Sequence, residues 1–261
     1  MINWTIGKYR ICELFGIPVY LSLSTICLLF FFIGMTGDLV LDAVCMVMLL
    51  VSIVAHELGH SLTARCFGCR TRDITLTVIG GCASLERIPH KAWQELLTAA
   101  AGPAVSFVFG GVAYVGSALL PRAFDFVAAA LYVTAVINIS LGAFNLLPGF
   151  PMDGGRVFRS FARLFTSRVK ATWLAMVVGR VAAVLLVFGP ALGIHHIWII
   201  PIGGNFFMRA LIAWMIWQEG YREYAQALAE GEWGGRWDFS ARVSPPPYGG
   251  DEDETEVRRG R

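Results

Sequence analysis

Six long apolar runs dominate the chain: residues 17–36, 39–64, 96–120, 124–144, 172–192 and 197–217. The first, from Ile17 to Thr36, carries no charge, and about 20 residues at 1.5 Å rise reach roughly 30 Å, the thickness of a bilayer's hydrocarbon core. The second, fifth and sixth runs are interrupted by polar residues. The pattern predicts six transmembrane helices. Lys8 and Arg10 before the first run raise the possibility of a cleavable leader, but that run exceeds the usual roughly 7–15 residues and no small-residue cleavage site follows, so it reads as a retained span. Thr71 to Glu86 alternates β-branched and apolar residues around Gly80-Gly81, which predicts a strand or hairpin between the second and third helices. The expected fold is an all-α polytopic membrane protein with one small membrane-associated β-element. Residues 1–16 form an N-terminal interfacial segment and 17–221 the six-span core. Residues 222–261 form a tail, helical to about Glu230 and then largely disordered through Pro245-Pro246-Pro247 and Asp251-Glu252-Asp253-Glu254.

Composition agrees. Of 261 residues, 56% are hydrophobic and 15% charged, against about 45–50% and about 25% in soluble domains. A net charge of +2 leaves too little positive excess for a nucleic-acid partner. The placement of charge says more. Of 21 Lys and Arg, two precede the first run, five lie in 65–91, five in 145–171 and six after Trp217, whereas Arg122 stands alone on the other side and Arg180 and Arg209 fall within runs. By the positive-inside rule both termini and both long loops are cytoplasmic. The six cysteines do not form a secreted framework, and Cys66-Phe-Gly-Cys69 with Cys82 lacks an evident fourth metal ligand. Arg180 and Arg209 should face the bundle, an interface or a carboxylate, with Asp42 and Asp125 as candidates.

The second run contains His56-Glu57-Leu58-Gly59-His60, an H-E-x-x-H pattern. On a helix, positions i and i+4 share a face, so both imidazoles can bind one Zn²⁺ while Glu57 addresses the water beside it. A charged side chain at mid-bilayer costs about 2.5–3.5 kcal/mol, while each Leu or Val returns only about 0.3–0.6, so Glu57 offsets some six apolar residues and marks function by default. Catalytic zinc takes three protein ligands and keeps a fourth position open. The best candidate for the third is Asp153, in the segment Asn145-Leu-Leu-Pro-Gly-Phe-Pro-Met-Asp153-Gly-Gly-Arg156, where Pro148 and Pro151 break the helix and let a carboxylate turn inward. An ordinary helix-ending loop is the plainer reading of that segment. The chemistry expected is hydrolysis by water activated beside a metal, with Glu57 addressing that water.

These paired motifs resemble the site-2 protease family of intramembrane zinc metalloproteases, as do Ile79-Gly80-Gly81 followed by Leu85-Glu86, and Ala101-Gly102-Pro103. The resemblance covers about residues 8–225 and is nearest the sporulation-type branch, which lacks PDZ and CBS domains. It implies one Zn²⁺ per chain held by His56, His60 and Asp153, with Glu57 activating water. It further implies that Asn145 positions the substrate backbone, and that the strand at Ile79, Gly80 and Gly81 pairs with unwound substrate. Substrates would be single-span membrane proteins such as transcription regulators, anti-sigma factors or precursors, cleaved in the bilayer of a prokaryotic inner membrane and gated by a regulatory membrane protein. One departure is Ser106, where many relatives carry Asn. Two rivals are a metal-ion transporter, which would be expected to show repeat symmetry, and a non-catalytic scaffold, which would typically have lost Glu57 or a ligand.

Overall fold

The structure, a computed structural model, describes residues 7–25, 37–77, 80–86, 91–193, 196–197, 200–201 and 206–234. Helix α1 spans Leu39–Cys66, α2 Ala92–Leu119, α3 Asp125–Asn145, α4 Asp153–Ala162, α5 Arg168–Phe188 and α6 Phe206–Gly234. The Asp38 carboxylate caps α1, accepting from the backbone N–H of Val40 at 2.8 Å and of Leu41 at 3.3 Å, which satisfies two of the donors a helix start leaves free. At 28 residues, α1 is roughly 42 Å long, more than a bilayer core requires. Four helices among the described residues, α1, α2, α3 (with the turn that precedes it) and α5, are long and apolar enough to cross a membrane.

Their outward faces carry Val47, Val51, Val108, Val112 and Val136, all exposed. Their inward faces are small or polar: Ser52, His56, Gly59 and His60 on α1, Gly102, Ser106 and Gly110 on α2, Asn138 and Gly142 on α3. Lipid tails are as apolar as Leu, so helices in a membrane gain from close backbone approach and interhelical hydrogen bonds rather than from apolar burial. One such bond runs from the Asn138 amide to Ser52 Oγ at 2.8 Å and ties α3 to α1.

The strands are β1 (Lys8–Leu14), β2 (Ile17–Ser22), β3 (Thr71–Thr77) and β4 (Gly80–Leu85), in spatial order β1-β2-β3-β4. The β1–β2 and β3–β4 pairs are antiparallel, and β2–β3 is parallel, with Val19 opposite Ile74 and Leu21 opposite Leu76. Ile17, Val19 and Ile74 form a buried cluster packed by Val54 and Leu58 of α1, which seats the sheet beside the His-Glu turn.

Two expectations are corrected. Ile17–Ser22 is a strand rather than the start of a first membrane helix, while residues 26–36 of that run lie outside the described residues. The reason is visible in the burial of β2, which alternates with period two at its start around Pro18 and β-branched Ile17 and Val19, a signal that an uncharged run conceals. The β-element is accordingly a four-stranded sheet joining the N-terminus to the segment between the first two described helices. The run at 197–217 opens on a short antiparallel pair, β5 (His196–Ile197) with β6 (Ile200–Pro201), and α6 then continues past Trp217 to Gly234. Residues 235–261 of the tail lie outside the described residues. Among the described residues the structure thus supports four spanning helices and a small sheet. Arg180 stacks on Trp217, its Cζ 4.5 Å from the ring centroid, a cation–π contact joining α5 to α6.

Ile74 is fully buried at the parallel seam. Ile74→Ala is expected to cost about 2–5 kcal/mol and to lower the thermal unfolding midpoint in detergent, whereas Tyr9→Ala, on the exposed outer strand, should leave that midpoint in place.

Candidate metal centre

One turn apart on α1, His56 and His60 turn their rings to the same side, with the two Nε2 atoms 3.2 Å apart. Asp153, the first residue of α4, reaches both: its Oδ2 lies 3.0 Å from Nε2 of His56 and 3.1 Å from Nε2 of His60. The three ligand atoms lie within 4.8 Å of one another, and all three residues are buried. The segment after α3 delivers the carboxylate. Leu146 to Met152 turns through Pro148 and Pro151, anchored by Phe150, which is 1% exposed, and α4 begins at Asp153.

The far side of each imidazole is held by α2. His60 Nδ1 donates to the carbonyl of Thr98 at 2.8 Å; a carbonyl can only accept, so this bond puts the proton on Nδ1 and leaves the Nε2 lone pair facing inward. His56 Nδ1 bonds Ser106 Oγ at 2.9 Å. Two imidazole nitrogens and a carboxylate oxygen therefore converge on one point. A proton or a metal ion must sit between such atoms, and two His with one carboxylate is a donor set that zinc takes in catalytic sites. Ring nitrogens fixed from behind by a carbonyl and a hydroxyl are the usual outer support of metal-binding histidines. The residues present fit a single zinc ion.

Between Thr98 and Ser106 sits Gly102, where the backbone of α2 passes over the two rings. A Cβ there would lie 2.2 Å from His60 Nε2 and 2.8 Å from His56 Nε2, so only glycine fits. Glu57 points to the sheet instead, its Oε2 accepting from the Ala83 N–H of β4 at 3.1 Å. At Gly81, a Cβ would lie 2.4 Å from Glu57 Cγ, so β4 crosses directly over this side chain.

Of the residues singled out in the sequence, His56, His60 and Asp153 come together, with Glu57 one residue from the first ligand and Gly81 packed on it. Gly80 pairs with Thr77 at the β3–β4 turn, and Ile79 lies outside the described residues. Asn145, at the end of α3, donates its amide to the Leu141 carbonyl at 3.0 Å, a bond within its own helix. Ser106 was visible only as a departure from a motif, and the Thr98 carbonyl and Ala83 N–H, being backbone groups, had no side-chain signature to find. The five cysteines described are free thiols, and none of them joins the cluster.

Helices long and apolar enough to cross a membrane thus enclose a buried His-His-carboxylate cluster that could hold one metal ion. The chain belongs to Peptidase family M50, whose profile it matches over residues 44–189. It is similar to a zinc metalloprotease of Methanocaldococcus jannaschii, 37% identical over 183 residues, which is 69% of this chain and 53% of that protein. A protein of Synechocystis sp. is 37% identical over 228 residues, 81% of this chain and 58% of its own length. The chain spans about half the length of these curated relatives. Its fold is similar to the solved structure of a site-2 protease from Methanocaldococcus jannaschii, with a TM-score of 0.58 and 30% identity, covering 84% of this chain and 95% of that one.

Two substitutions read the centre directly. Ser106→Ala leaves the His56 Nδ1–H without its acceptor and should weaken zinc binding about 10–100-fold, measured by chelator competition. Gly102→Ala should abolish stoichiometric zinc, because its methyl group occupies the space of the imidazole nitrogens.

Proposed function

We propose that this chain is an intramembrane zinc metalloprotease that hydrolyses peptide bonds in or near transmembrane segments of membrane-tethered proteins. The observation that carries the reading is the convergence of His56, His60 and Asp153 on one point, with both imidazoles supported from behind and a carboxylate, Glu57, at the adjacent position. Membership of Peptidase family M50 and the likeness to a solved site-2 protease support the same conclusion.

His56, His60 and Asp153 would hold the metal. Zinc supplies Lewis acidity there, bringing the pKa of water toward 7 and polarising a peptide carbonyl. Glu57 acts as general base and then general acid: its carboxylate removes a proton from water as the oxygen bonds to the carbonyl carbon, and passes a proton to the amine nitrogen as the C–N bond breaks. The Ala83 N–H holds one carboxylate oxygen of Glu57 and so orients the group. A helical substrate hides its carbonyls in i to i−4 hydrogen bonds, so it must unwind before attack. β4 is the outer strand of the sheet, and alternation along a strand turns Gly81 to the same edge as Ala83. An extended substrate adding to that edge at Gly81, beside the Gly80 turn, would regain backbone hydrogen bonds, with Asn145 steadying one carbonyl.

The segregation of Lys and Arg supports cytoplasmic termini and a site opening to the cytoplasm, since Arg65 closes α1 five residues after His60. The substrate class is single-span membrane proteins, such as transcription regulators, anti-sigma factors or precursors, in a prokaryotic inner membrane and under the control of a regulatory membrane protein. Purified wild type is expected to bind one zinc per chain and to cut a panel of single-span substrates. Glu57→Gln should keep the zinc and lose cleavage, while His56→Ala and Asp153→Asn lose both. Cleavage surviving in Glu57→Gln would remove Glu57 from the mechanism, and a wild type without metal would overturn the ligand set.

A further inference from the structure

The lower end of the bundle contains a second buried polar cluster, apart from the metal centre and with no part in the chemistry above. Arg159 of α4 is 2% exposed. Its Nε and Nη2 donate to Glu95 Oε1 at 3.1 and 2.5 Å, and its Nη1 donates to Glu223 Oε2 at 2.5 Å. Arg163 adds a bond to the other Glu95 oxygen. The Arg159 guanidinium also lies over the Phe150 ring, 5.1 Å from its centroid. Three helices thus meet at one side chain: α2 through Glu95, α4 through Arg159 and α6 through Glu223. Burial pulls the Arg159 pKa down, and the two carboxylates more than offset that, so the group stays above its ordinary value.

The position of this cluster relative to the ligands is what gives it meaning. Glu95 lies one turn before Thr98, whose carbonyl fixes His60. Arg159 lies six residues after Asp153, roughly 9 Å along the axis of α4. Phe150, beneath the guanidinium, belongs to the segment that leads into Asp153. A helix of ten residues is marginal without external contacts, so the rotation and depth of α4 depend on what anchors it. Glu223 extends that dependence to α6, whose Ile216 also packs on Leu147 and Met152 of the same segment.

Resting on the metal site proposed above, we infer that Arg159 is a positioning residue for Asp153. By clamping α4 between Glu95 and Glu223, it sets where the carboxylate meets the two imidazoles, and makes the geometry of the metal centre depend on the seating of α6. A fixed, planar fork that bonds two carboxylates at once suits this task in a way that a lysine ammonium does not.

The test uses the full chain in detergent, stripped of metal, with zinc affinity read by chelator competition and ligand geometry by the visible absorption of the cobalt(II)-loaded protein. Glu223→Gln is the main variant, since its side chain is 27% exposed and the substitution keeps its shape. Roughly tenfold weaker zinc binding with an altered cobalt spectrum is expected, with Arg159→Lys changed in the same direction and Glu223→Asp restoring part of the loss. Ile74→Ala serves as the control for plain destabilisation: it should lower the unfolding midpoint and leave the cobalt spectrum as in wild type. Folded Glu223→Gln with wild-type zinc affinity and a wild-type spectrum overturns the inference, and does so even if Arg159→Lys fails to fold. A spectrum altered equally by Ile74→Ala also overturns it. If Asp153→Asn binds zinc as wild type does, the proposed ligand set itself has failed, and this inference with it; zinc lost in Asp153→Asn but untouched in Glu223→Gln defeats the inference alone.

Discussion

Two imidazole nitrogens and a carboxylate oxygen pressed together inside an apolar bundle need a proton or a metal ion between them, and this constraint organises the molecule. In low-dielectric surroundings, unpaired polar groups cost far more than they do in water. The helices around the cluster therefore supply the few groups that can support it: the Thr98 carbonyl, the Ser106 hydroxyl, and a glycine where the backbone has to pass over the rings. None of these is a ligand, yet each one decides whether the ligand atoms converge.

The sheet and the short helix α4 deal with the remaining two parts of the centre. β4 crosses over Glu57 and holds its carboxylate by a backbone N–H, while α4 brings Asp153 in from a separate stretch of chain. A helix pair alone would place two histidines and no carboxylate partner. A carboxylate on a broken segment would have no defined position without something to hold α4, and the buried Arg159 cluster stands where that support is needed.

How much of this was legible in the sequence varied with the kind of group involved. His56 and His60 were readable because helical periodicity alone brings i and i+4 to one face. Asp153 was readable because Pro148, Pro151 and the glycines beside it mark a break in an apolar chain. β3 and β4 showed as alternation between two helical runs. β2 was hidden, because an uncharged run of helix-spanning length overrides a six-residue period-two signal, and its neighbours in the sheet are distant in sequence. Thr98 and Ala83 act through backbone atoms, which leave no trace in residue type. Glu95, Arg159 and Glu223 look like ordinary loop and tail charges until the fold brings them together.

The parallel seam between β2 and β3 carries a consequence for how the molecule is made. Parallel neighbours cannot be joined by a tight turn, so the chain must leave the sheet after β2 and return to lie alongside it, and α1 is the leg that brings it back. During synthesis from the N-terminus, β1 and β2 therefore emerge while the inner edge of β2 has no partner, and none is available until α1 has been made and Leu76 has emerged. The order of emergence is thus the β1–β2 pair, the histidine-bearing helix, the two strands that complete the sheet and last the carboxylate of Asp153, so the final ligand is made only after the rest of its scaffold.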